Sequence, residues 1–181
     1  KTVLFGVAVV FVLMIALYFY FTKVLPGAIF AAIVMLVTGF FFAAVSGNLV
    51  GMIGSSNNPI SGLTLAATIV AALTRVIVRD KGVEGVAAVL GVAAVVCVSS
   101  AVAGEMLQDL KVGHILGGTP WKMQVAEIVA TIVTSFVLVF PIVILHEGNI
   151  RQGGIGIGDP ALPAPQAGLM AQMAQGIVGG E

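Results

Sequence analysis

Two polar stretches interrupt an otherwise apolar chain, and they hold the residues best able to do chemistry. The first, GSSNNPISGLT at 54–64, offers amides and hydroxyls that donate and accept hydrogen bonds. The second, GEMLQDLKVGHILGGTPWKMQ at 104–124, gathers carboxylates with a lysine, a glutamine and a histidine, and Glu127 follows it. Carboxylates inside a membrane are costly and usually mark substrate or proton pathways. We therefore predict that ligand contacts and proton transfer lie in these two stretches.

The elements that carry these stretches are predicted to be membrane helices. Of 181 residues, 59% are hydrophobic and 9% are charged, and the mean hydropathy is +1.14, unlike ordinary soluble domains. A helix needs about 20 apolar residues to cross the bilayer core. The sequence predicts an all-α multi-pass membrane protein with one or two broken or re-entrant polar segments. Its roughly five transmembrane helices are expected at about 2–22, 28–46, 60–79, 85–103 and 125–146.

The transmembrane region is predicted to cover residues 1–147, and the residues that follow it are predicted to form other kinds of structure. Residues 148–165 are rich in Gly and Pro and break the helical periodicity, so they are expected to form a loop. Residues 166–181 begin a further helix or a re-entrant segment. The chain begins with Lys1 and ends in GIVGGE, so we expect a fragment of a longer protein.

The first polar stretch is predicted to break a helix. Unwound backbone at membrane depth persists only where protein or water satisfies it, and there it offers amides and carbonyls to a ligand. A polar face is expected beyond the break, along a wet cavity, formed by Ser61, Thr64, Thr68 and Arg75. The alternative is an exposed loop in which Asn58 caps the next helix and Pro59 begins it. Helix-breaking residues accompany both stretches: Gly54, Pro59, Gly62, Gly113, Gly117 and Pro120.

The second stretch is predicted to bend for the same reason, because its glycines and proline disfavour a straight helix. The fifth span continues the polarity on one face, with Gln124, Glu127, Thr131, Thr134 and Ser135. The alternative is an aqueous loop at 105–124, with Trp121 and Lys122 anchored among the lipid headgroups.

Several other functions are excluded or disfavoured. Eight basic and eight acidic residues cancel, and no basic cluster is present, so nucleic acid is not an expected partner. The single Cys97 forms no disulfide framework. HEGNI has Ile150 where a zinc protease needs its second histidine. His114 and His146 are interpreted as structural or interfacial residues. We predict no catalytic residue, no metal site and no cofactor.

Three strings occur in order across residues 54–171: SSNNPISGLT, GEMLQDLKVGHILGGTPWKMQ and LPAPQAGLMA. They resemble hallmark segments of the oligopeptide transporter superfamily, most closely its bacterial and yellow-stripe-like branch. The resemblance implies a secondary carrier in the cell membrane that moves small oligopeptides or peptide-like metal chelates, usually with protons. It also implies that this chain is the C-terminal part of a far longer protein. His114 and Glu105 depart from the pattern expected of relatives.

The resemblance gives the polar residues their expected roles. Substrate contacts are assigned to Asn57, Asn58, Ser61, Thr64, Gln108, Asp109, Lys111 and Thr119. Proton titration is assigned to Glu127, Asp109 or Glu105. The expected partners are a small peptide or metal-chelate substrate, protons, the lipid bilayer, the rest of the full-length transporter and a second copy in a homodimer. A passive channel or a structural membrane-assembly subunit remains the alternative function, with an intramembrane enzyme a distant third.

Overall fold

The computed structural model of the chain describes residues 2–78 and 83–179. Within that part, it contains α-helices and one 3-10 turn at Ser55–Asn57, with no strand. The helices are α1 (Thr2–Thr22), α2 (Leu25–Ile53), α3 (Ile60–Val78), α4 (Val83–Ile115), α5 (Pro120–Arg151) and α6 (Pro165–Gly179). Four of them are long and apolar enough to cross a membrane, and α3 supplies a shorter apolar segment, Ile60–Val76. The chain is therefore an all-α multi-pass membrane protein.

Helix α4 is the centre of the bundle, and it contacts each of the other five helices and the 3-10 turn. The buried core around it consists largely of alanine and valine, among them Ala28, Ala32, Ala72, Ala88 and Val89. Small side chains let helix backbones approach closely, which is the usual basis of helix association in membranes. The packing places the middle of α4 against α2 and α3.

Helix α5 packs differently, because α4 is the only described helix that it contacts, and none of its membrane-spanning residues is buried within the described part of the chain. Its outward surface is a continuous apolar band that includes Phe136, Phe140 and Ile144. In a membrane, such a surface is stable against lipid tails or against further helices.

Four of the sequence expectations are wrong. Helix α2 does not end near residue 46 but continues to Ile53. Helix α4 does not end near residue 103 but continues through the polar segment to Ile115. Gly113 lies inside α4 and Gly62 inside α3, so neither breaks a helix. Helix α5 extends to Arg151, so the segment after it starts later than residue 148. Two expected ranges reach beyond the described residues, since Arg79 and residues 180–181 lie outside them.

The connection from α5 to α6, residues 152–164, is tightly bonded rather than irregular. The Asp159 carboxylate accepts the backbone N–H groups of Ala161 at 2.8 Å and Ile155 at 3.0 Å. Asn149 Oδ1 accepts the N–H of Gly156 at 2.7 Å, and His146 Nδ1 accepts the N–H of Ile157 at 3.1 Å. The bonds from Ala161 and Ile155 favour the charged carboxylate and lower the pKa of Asp159 below its ordinary value.

Candidate functional site

The break between α2 and α3 is formed at one residue. The last helical hydrogen bond of α2 runs from Gly54 N to the Val50 carbonyl, at 2.9 Å. Gly54 then adopts φ 89° and ψ 159°, a conformation that residues with a Cβ rarely adopt. The 3-10 turn Ser55–Asn57 follows, and Pro59 precedes α3, which begins at Ile60. The break therefore depends on a glycine before the turn and a proline after it.

Asn58 fixes the break to the bundle. Its Oδ1 lies 2.9 Å from Ser46 Oγ, and the same hydroxyl lies 2.6 Å from the Ser100 carbonyl. A hydroxyl has one proton, and the shorter contact to Ser100 takes it. If the Asn58 amide is turned so that its nitrogen faces Ser46, that hydroxyl accepts an N–H, and Nδ2 is no longer a buried donor without a partner. Ser46 then links α2, α4 and the break.

Gly104 leaves the space that the Asn58 amide occupies. A Cβ at Gly104 would lie 2.5 Å from Asn58 Nδ2 and 3.0 Å from both Ser46 Oγ and Val50 Cγ2. Contacts below 3.0 Å require something to move, and here the neighbours are packed on α2 and the break. The glycine therefore lets Asn58 pack directly against the backbone of α4.

Gln108 and Lys111, one and two helical turns beyond Gly104, extend the same face of α4. The Gln108 Oε1 accepts the backbone N–H of Ser55 at 2.5 Å. The Lys111 ammonium donates to the carbonyl of Gly51, near the C-terminus of α2, where a positive charge is favourable. These two side chains therefore bind the backbone on either side of Gly54.

The three predicted proton-titrating residues are brought together on another face of α4. Glu105 and Asp109 of α4 and Glu127 of α5 line one cleft of about 470 Å³. The α5 wall of the cleft also carries Thr131, Thr134 and Ser135. Among the described residues, no group of three acidic, His or Cys side chains is placed to hold a metal ion.

Four predicted ligand residues lie outside both the group of contacts that Asn58, Gln108 and Lys111 make and the carboxylate cleft. Ser61 and Thr119 are exposed, and Thr119 lies in the turn before α5. Asn57 is exposed and donates to the Ile53 carbonyl at 3.1 Å. Thr64 is buried and donates to the Ile60 carbonyl at 2.7 Å.

The predicted wet cavity along α3 is not what the structure shows. Thr64, Thr68 and Arg75 are buried in the bundle, each no more than 3% exposed. Thr68 donates to the Thr64 carbonyl at 2.8 Å, as hydroxyls in membrane helices commonly do. The cavity beside Thr64, of about 410 Å³, is lined otherwise by Cys97 and apolar side chains. The polar face predicted for α3 therefore packs within the bundle.

Sequence reasoning missed Ser46, Ser100 and Gly104. Ser46 stands alone in an apolar run and Ser100 follows Ser99 in another, and serines are common where membrane helices pack. Their only signal is that each is accompanied by a residue able to pack closely: Gly47 follows Ser46, and Gly104 lies one turn beyond Ser100. Gly47 itself packs against the end of the Leu107 side chain, which would have to move to accommodate a Cβ there.

A family model described as OPT oligopeptide transporter protein matches residues 1–181. The chain belongs to this family. A protein of Haemophilus influenzae named "Putative oligopeptide transporter" is similar, with 36% identity over 152 residues. That similarity covers 77% of this chain and 24% of the relative, so the OPT family chain spans about a quarter of the length of the relative it matches. No solved structure matches it. Family membership and the apolar helices identify a multi-pass protein of the cell membrane.

Proposed function

We propose that the complete protein is a secondary active transporter that couples proton movement to the movement of small oligopeptides or peptide-like metal chelates. The observation that carries this proposal is the arrangement of α4. One face of this helix binds the break through Gln108 and Lys111, and another face shares a cleft with Glu127. A single helix therefore binds the polar break with one face and carries two of the three cleft carboxylates on another.

The proposed substrate contacts come from the break and from the facing side of α4. Gln108 holds a backbone N–H and Lys111 holds a backbone carbonyl, and these are the two groups that every peptide bond displays. The same side chains are therefore chemically suited to a peptide ligand. Contacts are also proposed for the exposed Asn57, Ser61 and Thr119, together with Asn58, Thr64 and Asp109.

Proton coupling is proposed for the cleft between α4 and α5. Glu127 faces Glu105 and Asp109 across the cleft, so a proton bound by one carboxylate reduces the repulsion among all three. Protonation would thereby favour closer approach of α4 and α5. In this proposal, the proton changes helix packing on one face of α4 while substrate binds at the other.

The experiment is uptake into proteoliposomes by the full-length protein, with a panel of peptides and metal–peptide chelates, with and without an inward proton gradient. Wild-type uptake should saturate and should be stimulated by the gradient. Glu127→Gln should lose the stimulation, because the cleft loses a titratable group. Glu147→Gln is the matched control, since Glu147 is exposed on the same helix and outside the cleft.

The outcomes distinguish the proposed carrier from the alternatives. Uptake that does not saturate indicates a passive channel, and no uptake with any substrate indicates a structural subunit or an untested cargo. Equal stimulation in wild type and Glu127→Gln contradicts the assignment of Glu127. We further propose that the exposed surface of α5 packs against the rest of the full-length transporter or a second copy in a homodimer.

A further inference from the structure

The hydrogen bonds around Gly54 show how α2 is stopped. In a continuing α-helix, the Ser55 N–H would bond to the carbonyl four residues earlier, which is that of Gly51. Here both halves of that bond are taken by side chains of α4. Gln108 accepts the Ser55 N–H, and Lys111 donates to the Gly51 carbonyl. The first missing hydrogen bond of α2 is therefore replaced, donor and acceptor alike, by residues one turn apart on α4.

The residues of the break after Gly54 already form a helical turn. Asn57 N bonds to the Gly54 carbonyl at 3.3 Å, and Asn58 N bonds to the Ser55 carbonyl at 3.0 Å, as in a 3-10 helix. Only Gly54, at φ 89°, separates this turn from α2. Pro59 prevents further extension, because it lacks an N–H and disfavours helical geometry at the residue before it. The alternative conformation is thus one turn of helix, bounded by Gly54 and Pro59.

We propose that Gly54 is a hinge at which α2 winds on by one turn, and that Gln108 and Lys111 hold the unwound state described here. When both side chains leave, Ser55 N–H and Gly51 carbonyl bond to each other. The exchange gives the Ser55 N–H and the Gly51 carbonyl a partner in both states, and unpaired backbone groups are costly inside a membrane. Glycine suits this position because it occupies both positive and negative φ readily.

This hinge also links substrate binding to the conformation of α2, and this step rests on the proposed function. A peptide that binds Gln108 with an N–H and Lys111 with a carbonyl replaces the two backbone groups of α2. The groups it displaces then pair with each other and wind the helix. Substrate binding and the length of α2 are coupled because both use the same two side chains.

The test is a distance between spin labels in the full-length protein in nanodiscs. Labels at Ser56→Cys and Val112→Cys, both exposed positions, report the break against α4 in protein from which Cys97 and every other native cysteine have been removed. If α2 winds on by one turn, a second distance between the labels should appear, displaced from the first by ~5 Å, which is one helical pitch. Pulsed electron paramagnetic resonance measures the two populations.

Gly54→Ala is the decisive variant. No described residue lies within 4 Å of a Cβ at Gly54, so alanine fits the space there and opposes only the positive φ. It should raise the ratio of wound to unwound protein by about tenfold or more. Gly62→Ala is the matched control, because that glycine is helical and also has open space around it. Its distance distribution should equal that of the parent.

A second pair of variants removes the side chains that hold the break. Gln108→Ala with Lys111→Ala should also populate the second distance, and Lys111→Arg, which keeps a donor, should not. Gln124→Ala with Lys122→Ala removes the same chemical groups from exposed positions on α5 and serves as the control. These measurements need no substrate.

The results separate this inference from the proposed function. A single, parental distance in both Gly54→Ala and the Gln108/Lys111 double variant overturns the hinge. A second distance in those variants supports it, whether or not the wild type transports anything. Adding a saturating peptide to the labelled parent then tests the coupling step: a shift to the second distance supports it, and no shift by a transported peptide overturns it.

Discussion

Gly104→Ala should destabilise the bundle because a methyl group there meets Asn58 and Ser46. The Cβ would lie 2.5 Å from Asn58 Nδ2 and 3.0 Å from Ser46 Oγ. Overpacking of this kind costs ~1–3 kcal/mol, and losing the Asn58–Ser46 hydrogen bond adds ~0.6 kcal/mol in a membrane protein. The better helix propensity of alanine returns ~0.5–1 kcal/mol. The expected net loss in free energy of unfolding is therefore about 1–3 kcal/mol.

Equilibrium unfolding of the full-length protein in detergent measures this loss. Gly91→Ala is the control on the same helix, because nothing lies within 4 Å of its Cβ, and it should leave stability unchanged or raise it slightly. If Gly104→Ala is as stable as Gly91→Ala, Asn58 does not rest against Gly104. Ser46→Ala combined with Gly104→Ala should cost less than the sum of the two changes, since both remove the same hydrogen bond.

Two further predictions concern other contacts. Gly113→Ala should cost no more than about 1 kcal/mol of unfolding free energy, because its Cβ meets only the flexible end of Met123; a loss equal to that of Gly104→Ala would contradict this. The lowered pKa of Asp159 means that its bonds to Ala161 and Ile155 stabilise the α5–α6 connection above the ordinary pKa, about 3.9. That stabilisation should disappear as the pH falls through the lowered value. Hydrogen exchange at those two amides, corrected for its intrinsic pH dependence, should rise there in the wild type and be high at all pH values in Asp159→Asn.

The membrane helices could be predicted from apolar length, but the extent of α4 could not. Residues 104–115 contain charged and polar side chains, which together with the nearby glycines suggested a bent segment after a helix that ends near residue 103. Glu, Met, Leu, Gln and Lys are nevertheless good helix formers, and a single glycine costs only ~1 kcal/mol. Packing against α2 and the break satisfies the polar side chains, so the helix continues through them to Ile115.

The candidate site was predicted as a set of residue types but not as an arrangement. Asn58, Gln108 and Lys111 stand out because polar groups are unusual in such a chain. Gln108 and Lys111 bind backbone groups of Ser55 and Gly51, and any residue can provide a backbone group. Asn58 contacts the hydroxyl of Ser46, which the sequence does not single out. The meeting of Glu127 with Asp109 likewise depends on how α5 folds back on α4. Neither these hydrogen-bond partners nor the proximity of Glu127 to Asp109 can be recognised from the sequence.

The two polar faces of α4 share one helical backbone, and this has a thermodynamic consequence. Glu105 and Asp109 face the cleft with α5, while Gln108 and Lys111 face the break. Any rotation or shift of α4 changes both environments together. If a proton in the cleft alters ligand affinity at the break by some factor, the ligand must alter proton affinity by the same factor. Proton uptake measured on adding ligand would therefore report the coupling energy without any transport assay.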